Sequence, residues 1–431
     1  MVQRISNVQR RRALQGAVLL VTATAATATL ANTTPAVGSI QVVSASAAGT
    51  AATIGSTTCA VSADGNLVLF SSGASNLVVG DSNGVADLFL KNLATGAITR
   101  VTTQSNGAQI AAGGNCLGTT MTPDGRVVAF NSGQTVFAKN THTGLLTQAS
   151  PPPGIVPQVS AFFGGALSDD GTKLVFLTVP QTTYAGAYLF VNVVPARLML
   201  RDLSNGSLVV LATDNGIAAQ GEVVGTRFAI SPDGTRVAFV SSSAGLVPGD
   251  TNGQADVFVR NLVDSTTLLA SSSNAGVPAV ATVCCNSLYW NPAFVSDTQL
   301  AFGTGQPSSL GQRGLYLKDL ASGTLELVLS NADGEEARLS GNGRKVVYSR
   351  LYSGWDRRVF LRDRSTGVDT LASASASGVA SNGTSTGALI SRDGTRVVFG
   401  SSARNLVSPR PPANVFQVYA KTVGPAAAGP R

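Results

Sequence analysis

Apolar and polar residues alternate along most of this chain in short runs, and the runs repeat. Six residues after an Asp or Asn in a turn stands an aromatic: Phe70, Phe130, Phe176, Phe239, Tyr348 and Phe399. Two residues before each lies Val68, Val128, Leu174, Val237, Val346 or Val397. A period of two puts both on one face of a β-strand. The turns themselves are Ser62-Ala63-Asp64-Gly65, Ser168-Asp169-Asp170-Gly171, Ser231-Pro232-Asp233-Gly234 and Ser391-Arg392-Asp393-Gly394, with variants Thr122-Pro123-Asp124-Gly125 and Ser340-Gly341-Asn342-Gly343. Asx-Gly suits a tight hairpin, because Gly accepts positive φ and the Asx side chain bonds the local backbone. Ser296-Asp297 is a degenerate seventh copy without the glycine; Leu300 and Phe302 keep the apolar pair one residue early, as a shorter turn requires.

A second strand follows in each unit: Leu88-Phe89-Leu90-Lys91, Val136-Phe137-Ala138-Lys139, Leu198-Met199-Leu200-Arg201, Val257-Phe258-Val259-Arg260, Leu315-Tyr316-Leu317-Lys318, Val359-Phe360-Leu361-Arg362 and Val418-Tyr419-Ala420-Lys421. A Gly-, Asp- or Ser-rich turn and a further apolar run come next, as in Leu268-Leu269-Ala270 and Thr370-Leu371-Ala372. With the strand before the Asx-Gly turn, each unit holds four strands, called a to d. Four-stranded units repeated radially make propeller blades. The expected fold is all-β, a seven-bladed β-propeller. Its last unit ends at Lys421 without a strand d, while Ile40-Gln41-Val42-Val43-Ser44-Ala45 is a strand d without a blade. Pairing the two closes the ring and removes two exposed sheet edges. The propeller is expected over residues 40–422, followed by a Gly/Ala/Pro tail at 423–431.

These repeats resemble the WD40-like repeat of TolB-type propellers over essentially all of residues 40–422. The carriers are Ser231-Pro232-Asp233-Gly234, the Val237-x-Phe239 strand, and the strand that ends in Arg201-Asp202-Leu203. The resemblance implies the propeller fold. TolB pairs its propeller with an N-terminal α/β domain and prolyl peptidases pair a related one with a hydrolase domain; neither is expected in this chain. The resemblance therefore supports a fold more than a function.

Residues 1–31 change the reading of charge and location. Arg10, Arg11 and Arg12 precede an uncharged stretch rich in Ala, Thr, Leu and Val, and Thr29-Leu30-Ala31 offers a small-residue cleavage site. That is the layout of a secretory signal, with Arg11-Arg12-Ala13-Leu14 weakly similar to a twin-arginine signal. The expectation is a signal peptide at 1–31, a linker at 32–39, and an exported protein, periplasmic or extracellular, that does not span a membrane after cleavage. The chain carries a net +7; Arg4, Arg10, Arg11 and Arg12 leave with the signal, so +3 remains. So small a charge argues against nucleic acid as a partner. Hydrophobic residues make up 44% and charged residues only 12%, about half the usual charged share.

Strand order also sorts the loops. The a–b and c–d turns share a lower face and are short. The b–c and d–a loops share an upper face and are long, as at 71–86, 178–196, 241–255 and 400–414. Irregular loops on a rigid scaffold are where binding residues concentrate. The 178–196 insertion holds Tyr184, Tyr188 and Phe190, an aromatic contact patch for a partner or glycan, or else a hairpin packed on the rim.

Two upper loops share a pattern: Asp81-x-Asn83-Gly84 with Asp87, and Asp250-x-Asn252-Gly253 with Asp256. Oxygens so spaced could chelate Ca²⁺; the alternative is a hydrogen-bonded Asx turn, since Asn92 and Asn261 stand where an EF-hand has Glu. Four cysteines in an exported chain can pair. Cys59–Cys116 is geometrically reasonable, and vicinal Cys284–Cys285 would be strained; three complete pairings exist. The strand-c bases Lys91, Lys139, Arg201, Arg260, Lys318, Arg362 and Lys421 are read as partners in local ion pairs near the c–d turns rather than as a positive ring. The one histidine, His142, falls in a c–d turn. No nucleophile-elbow sequence accompanies it, so a Ser–His–Asp triad is not expected.

The expected function is non-enzymatic: an exported, monomeric scaffold binding a protein or a cell-envelope glycan through its upper loops. The alternatives are a propeller-type polysaccharide lyase or hydrolase acting at the channel mouth, and a structural surface protein.

Overall fold

A computed structural model describes residues 37–151, 159–180, 197–211, 213–214, 217–218, 223–243, 245–278, 291–304, 310–330, 335–354 and 356–424. Among them there is no helix. Seven four-stranded antiparallel sheets form the seven-bladed β-propeller read from the repeats, with one small extra pair, Thr213–Asp214 and Ile217–Ala218.

Blade 1 runs Ser56–Val61 (a), Leu67–Ser72 (b), Asp87–Asn92 (c) and Ile98–Arg100 (d). Blade 4 runs Val223–Ile230, Arg236–Ser241, Asp256–Asn261 and Thr267–Leu269. Blade 7 has Ser385–Ile390, Arg396–Ser401 and Gln417–Thr422 as its a, b and c strands. Its fourth strand is Ile40–Val42, in register Ile40↔Lys421, Gln41↔Ala420 and Val42↔Tyr419. The ring closes as the orphan strand demanded. The a strands of neighbouring blades contact one another and form the inner wall.

The repeated aromatics meet because strands b and c are in register. Phe70 stands opposite Phe89, Phe239 opposite Phe258, and Phe399 opposite Tyr419. Ring centroids lie 5.6, 5.9 and 5.8 Å apart respectively. Each pair is buried in the wedge between blades and contributes about 0.5–1.5 kcal/mol beyond its area burial. Blade 3 is the variant, with Met199 opposite Phe176.

The Ser-x-Asp-Gly turn is a small hydrogen-bonded machine. In blade 1, Ser62 Oγ donates to Asp64 Oδ1 at 2.5 Å and accepts from the Leu67 N–H at 2.9 Å. Asp64 Oδ1 also accepts from the Asn66 N–H at 3.0 Å, and Gly65 takes φ 71°, where a Cβ would be strained. Partial burial pushes the Asp64 carboxyl up, but the bonds from Ser62 and Asn66 outweigh it and hold it below its ordinary value. The turns are stitched to each other around the axis: the Ala63 N–H donates to Pro123 O at 2.8 Å, Asp169 N to Pro232 O at 2.9 Å, and Asp393 N to Ala63 O at 3.0 Å. The lower face is thereby rigid. Inner strands also approach closely where side chains are missing: a Cβ on Gly118 would lie 2.4 Å from Gly164 Cα.

The strand-c lysines correct the ion-pair expectation. Lys91 Nζ donates to the carbonyls of Ala45 (3.0 Å), Ser46 (3.0 Å) and Gly96 (2.7 Å). Lys139 does the same with Thr103, Gln104 and Gly144, Lys318 with Ser272, and Lys421 with Ala374. Each buried ammonium staples the loop of the preceding blade to its own, and burial pulls its pKa down. A lysine suits the task because three donors on a long stem can satisfy carbonyls otherwise left orphaned. Among the described residues, Arg362 follows the expectation, pairing with Asp369 at 2.8 Å.

Candidate functional site

With the lower face committed to stitching, the variable chemistry lies above. Blade 1 and blade 4 carry the two Asx loops. In blade 1 the predicted oxygens come together, but protein groups occupy them. Gln109 Nε2 donates to Asp81 Oδ1 and Asp87 Oδ2, both at 2.9 Å. Asn83 Nδ2 donates to Asp87 Oδ2 at 3.1 Å, the Thr102 hydroxyl binds Asp87 Oδ1, and Arg100 lies 3.6 Å from Asp81. This is a closed network in which every acid has a partner.

The blade-4 loop has the same backbone and a different outcome. Asn252 Nδ2 donates to Asp256 Oδ2 at 2.7 Å and Ser271 Oγ to Asp256 Oδ1 at 2.5 Å. Asp256 is fully buried; that burial, with the neighbouring Asp250 charge, pushes its carboxyl up to about 6 despite both bonds. Among the described residues no group of three His, Cys, Asp or Glu side chains is placed to hold a metal.

Blade 6 supplies a feature that the sequence reading passed over. Its strands b and c, Lys345–Ser353 and Asp356–Asp363, run longer than their counterparts and carry the hairpin beyond the body of the blade. Period two brings Tyr348, Arg350 and Tyr352 onto one face, against Phe360 and Arg358. Arg350 and Arg358 are direct cross-strand partners, a like-charge pair that would normally be destabilising. Here each guanidinium stacks on a ring: Arg358 lies 3.6 Å from the Tyr352 centroid, Arg350 4.5 Å from Phe360, and Arg362 5.7 Å from Tyr348. The ladder is buried at Tyr348 and open at its tip, where Tyr352 is 61% exposed beside exposed Leu351. The alternation Tyr348-x-Arg350-x-Tyr352 was the available signal; only the extra strand length turns it into a surface.

The other sequence candidates fall as follows. Tyr184, Tyr188 and Phe190 lie outside the described residues, as do Cys284, Cys285 and residues 1–36. Cys59 and Cys116 form a disulfide with Cα atoms 4.8 Å apart, tying the inner strand of blade 1 to the loop entering blade 2. His142 sits in the exposed c–d turn of blade 2 beside a lower-face cleft of about 470 Å³ with Asp124, Gln104 and Lys139. The Lys139 ammonium is already engaged there, and the hydroxyl that meets the imidazole, Thr141 Oγ1 at 3.4 Å from Nδ1, itself donates to the Gly125 carbonyl at 2.7 Å. Glu336, at the upper end of the blade-6 inner strand, accepts from the Gly387 N–H at 2.9 Å and Ser349 Oγ at 3.2 Å. Sequence reasoning also missed a repeated hydroxyl after strand d: Ser44, Ser271 and Ser373 each accept from a strand-c N–H, that of Val418, Val257 and Val359, at 3.0, 2.9 and 3.1 Å.

No protein-family model matches the chain, and no curated protein is recognisably similar to it. Solved structures do resemble it. An oligogalacturonate lyase from Vibrio parahaemolyticus matches with TM-score 0.56 at 14% identity, over 85% of this chain and 89% of that one. A prolyl endopeptidase matches with TM-score 0.52 at 12% identity, over 86% of this chain and 48% of that one. TolB from Acinetobacter baumannii matches with TM-score 0.39 at 13% identity, over 84% and 82%. At identities this low, the first two likenesses show the propeller fold alone.

Proposed function

We propose that this chain is an exported, non-enzymatic propeller that binds an acidic cell-envelope glycan on its upper face. The observation that carries the reading is the blade-6 ladder, a preorganised edge in which Tyr352 is exposed and the Arg350 and Arg358 guanidinium groups are half-buried beside it, each stacked on a ring. An aromatic face stacks on a sugar ring, and a guanidinium matches a carboxylate in a bidentate way. Stacking also fixes both guanidinium planes before a ligand arrives, which lowers the ordering cost of binding. Export rests on the Arg10-Arg11-Arg12 and 13–31 segment.

The test is a glycan array probed with the chain and with Arg350→Ala/Arg358→Ala. Retention of uronate-containing glycans but not neutral ones, lost in the double variant, supports the reading. Equal retention by the variant would overturn it.

The lyase likeness motivates a second reading, catalysis on an acidic oligosaccharide at the channel mouth. Glu336 is an acid on the inner strand of blade 6, but its Oε2 is committed to Gly387 and Ser349. Release of an unsaturated product from a uronate oligosaccharide by the purified chain would establish this reading over the first.

A further inference from the structure

The two Asx loops are internal controls for one another. Asp81, Asn83, Asp87 and Thr102 recur at the same spacing as Asp250, Asn252, Asp256 and Ser271. The backbone repeats too, since the isolated bridge Thr103↔Gln109 has its counterpart in Ser272↔Pro278. Among the positions that differ, two touch the acids in blade 1. Where blade 1 has Arg100 and Gln109, blade 4 has Leu269 and Pro278. Those are the two side chains that neutralise and bridge the acids in blade 1, and neither Leu nor Pro can donate a hydrogen bond from its side chain.

The consequence is visible at Asp250. The residue is only 6% exposed, and both of its carboxylate oxygens are buried without a hydrogen bond of normal geometry. The nearby Asn252 N–H offsets only part of the burial, so the Asp250 carboxyl is held above its ordinary value. Its charge also bears directly on Asp256. A buried carboxylate without a partner is costly unless something positive joins it. Blade 1 shows what belongs in the slot: a positive charge and a group that touches both acids at once.

We propose that the blade-4 loop binds one Ca²⁺-class cation between Asp250 and Asp256, in the place that the Gln109 amide fills in blade 1. The donors offered are oxygens alone, which select a hard cation over a soft one. Two carboxylates carry the charge of one divalent ion. Asn252 and Ser271 already bond the two Asp256 oxygens, leaving Asp250 as the principal ligand. The blade-1 loop binds none, because Gln109 and Arg100 already fill it.

The experiment uses the full chain stripped with a chelator at pH 7.5, titrated with CaCl₂ by calorimetry and by thermal unfolding. One Ca²⁺ per chain and a rise of several degrees in Tm are expected. Asp250→Asn should abolish both, Asp81→Asn should leave the stoichiometry at one, and Leu269→Arg/Pro278→Gln should abolish binding while raising the Tm of the metal-free protein. The proposal fails if CaCl₂ neither binds nor shifts Tm, if NaCl alone reproduces the shift, or if the Leu269→Arg/Pro278→Gln variant still binds.

Discussion

Arg392 of blade 7 pairs with Asp169 of blade 3, Nη1 to Oδ2, although the two are 223 positions apart. Both belong to the x position of a Ser-x-Asp-Gly turn, and their blades stand on opposite sides of the ring. The pair therefore spans the lower mouth of the channel, complementing the stitches that join adjacent turns.

Both side chains are 38% exposed, so solvent screens the pair. Arg392→Ala should cost less than about 1 kcal/mol in chemical denaturation. A double-mutant cycle with Asp169→Asn should recover a coupling of that size. A coupling of several kcal/mol would mean that the pair is far better shielded than its exposure indicates.

The lysine staples should matter more. Lys91→Met keeps the stem and removes donors from three carbonyls. Charged hydrogen bonds contribute about 1.5–3 kcal/mol each, and orphaned buried acceptors add to the loss. The expected loss is at least about 2 kcal/mol in urea unfolding, and Lys139→Met should behave alike.

Reduction, or Cys59→Ser/Cys116→Ser, opens a loop of 57 residues. The chain-entropy model assigns a closed loop of that length about 4 kcal/mol, with about 2–4 typical in practice. Unfolding of the variant should be weakened by that amount. Peptide mapping of the oxidised protein should recover Cys59 and Cys116 in one linked fragment.

Truncating a wedge aromatic should be severe. Phe239 is buried against Phe258 and against blade 3, so Phe239→Ala should cost about 3–5 kcal/mol, read as a lowered denaturation midpoint.

The raised Asp256 carboxyl gives a pH dependence of definite sign. The folded chain retains this proton up to about 6, whereas an unfolded Asp releases it near 3.9. Between those values the folded state binds more protons, so in chelator this site makes stability fall as pH rises from about 4 to 6. Asp64, Asp124, Asp170 and Asp233 are shifted down and act oppositely, removing stability as pH falls below about 4. Asp256→Asn should flatten the decline between pH 4 and 6 and leave the acid limb unchanged. An unaltered slope would show that Asp256 is ionised throughout.

The sequence by itself determined the unit, the count and the closure. Val68 and Phe70 declare a strand face, Asp64-Gly65 declares the turn before it, and the 40–45 strand matches a vacancy after Lys421. These follow from local rules: side-chain period, turn stereochemistry, and the need to pair an edge. Cys59–Cys116 was legible as one geometrically reasonable pairing among three. What the lysines touch was not legible, because their acceptors are carbonyls, identical at every residue, that only blade-to-blade packing brings near. Arg392 and Asp169 likewise meet only because the ring turns back on itself. The difference between the two Asx loops stood in the sequence as Gln109 against Pro278. That it leaves Asp250 buried without a partner was decided by the fold, since burial is a property of what surrounds a residue in space.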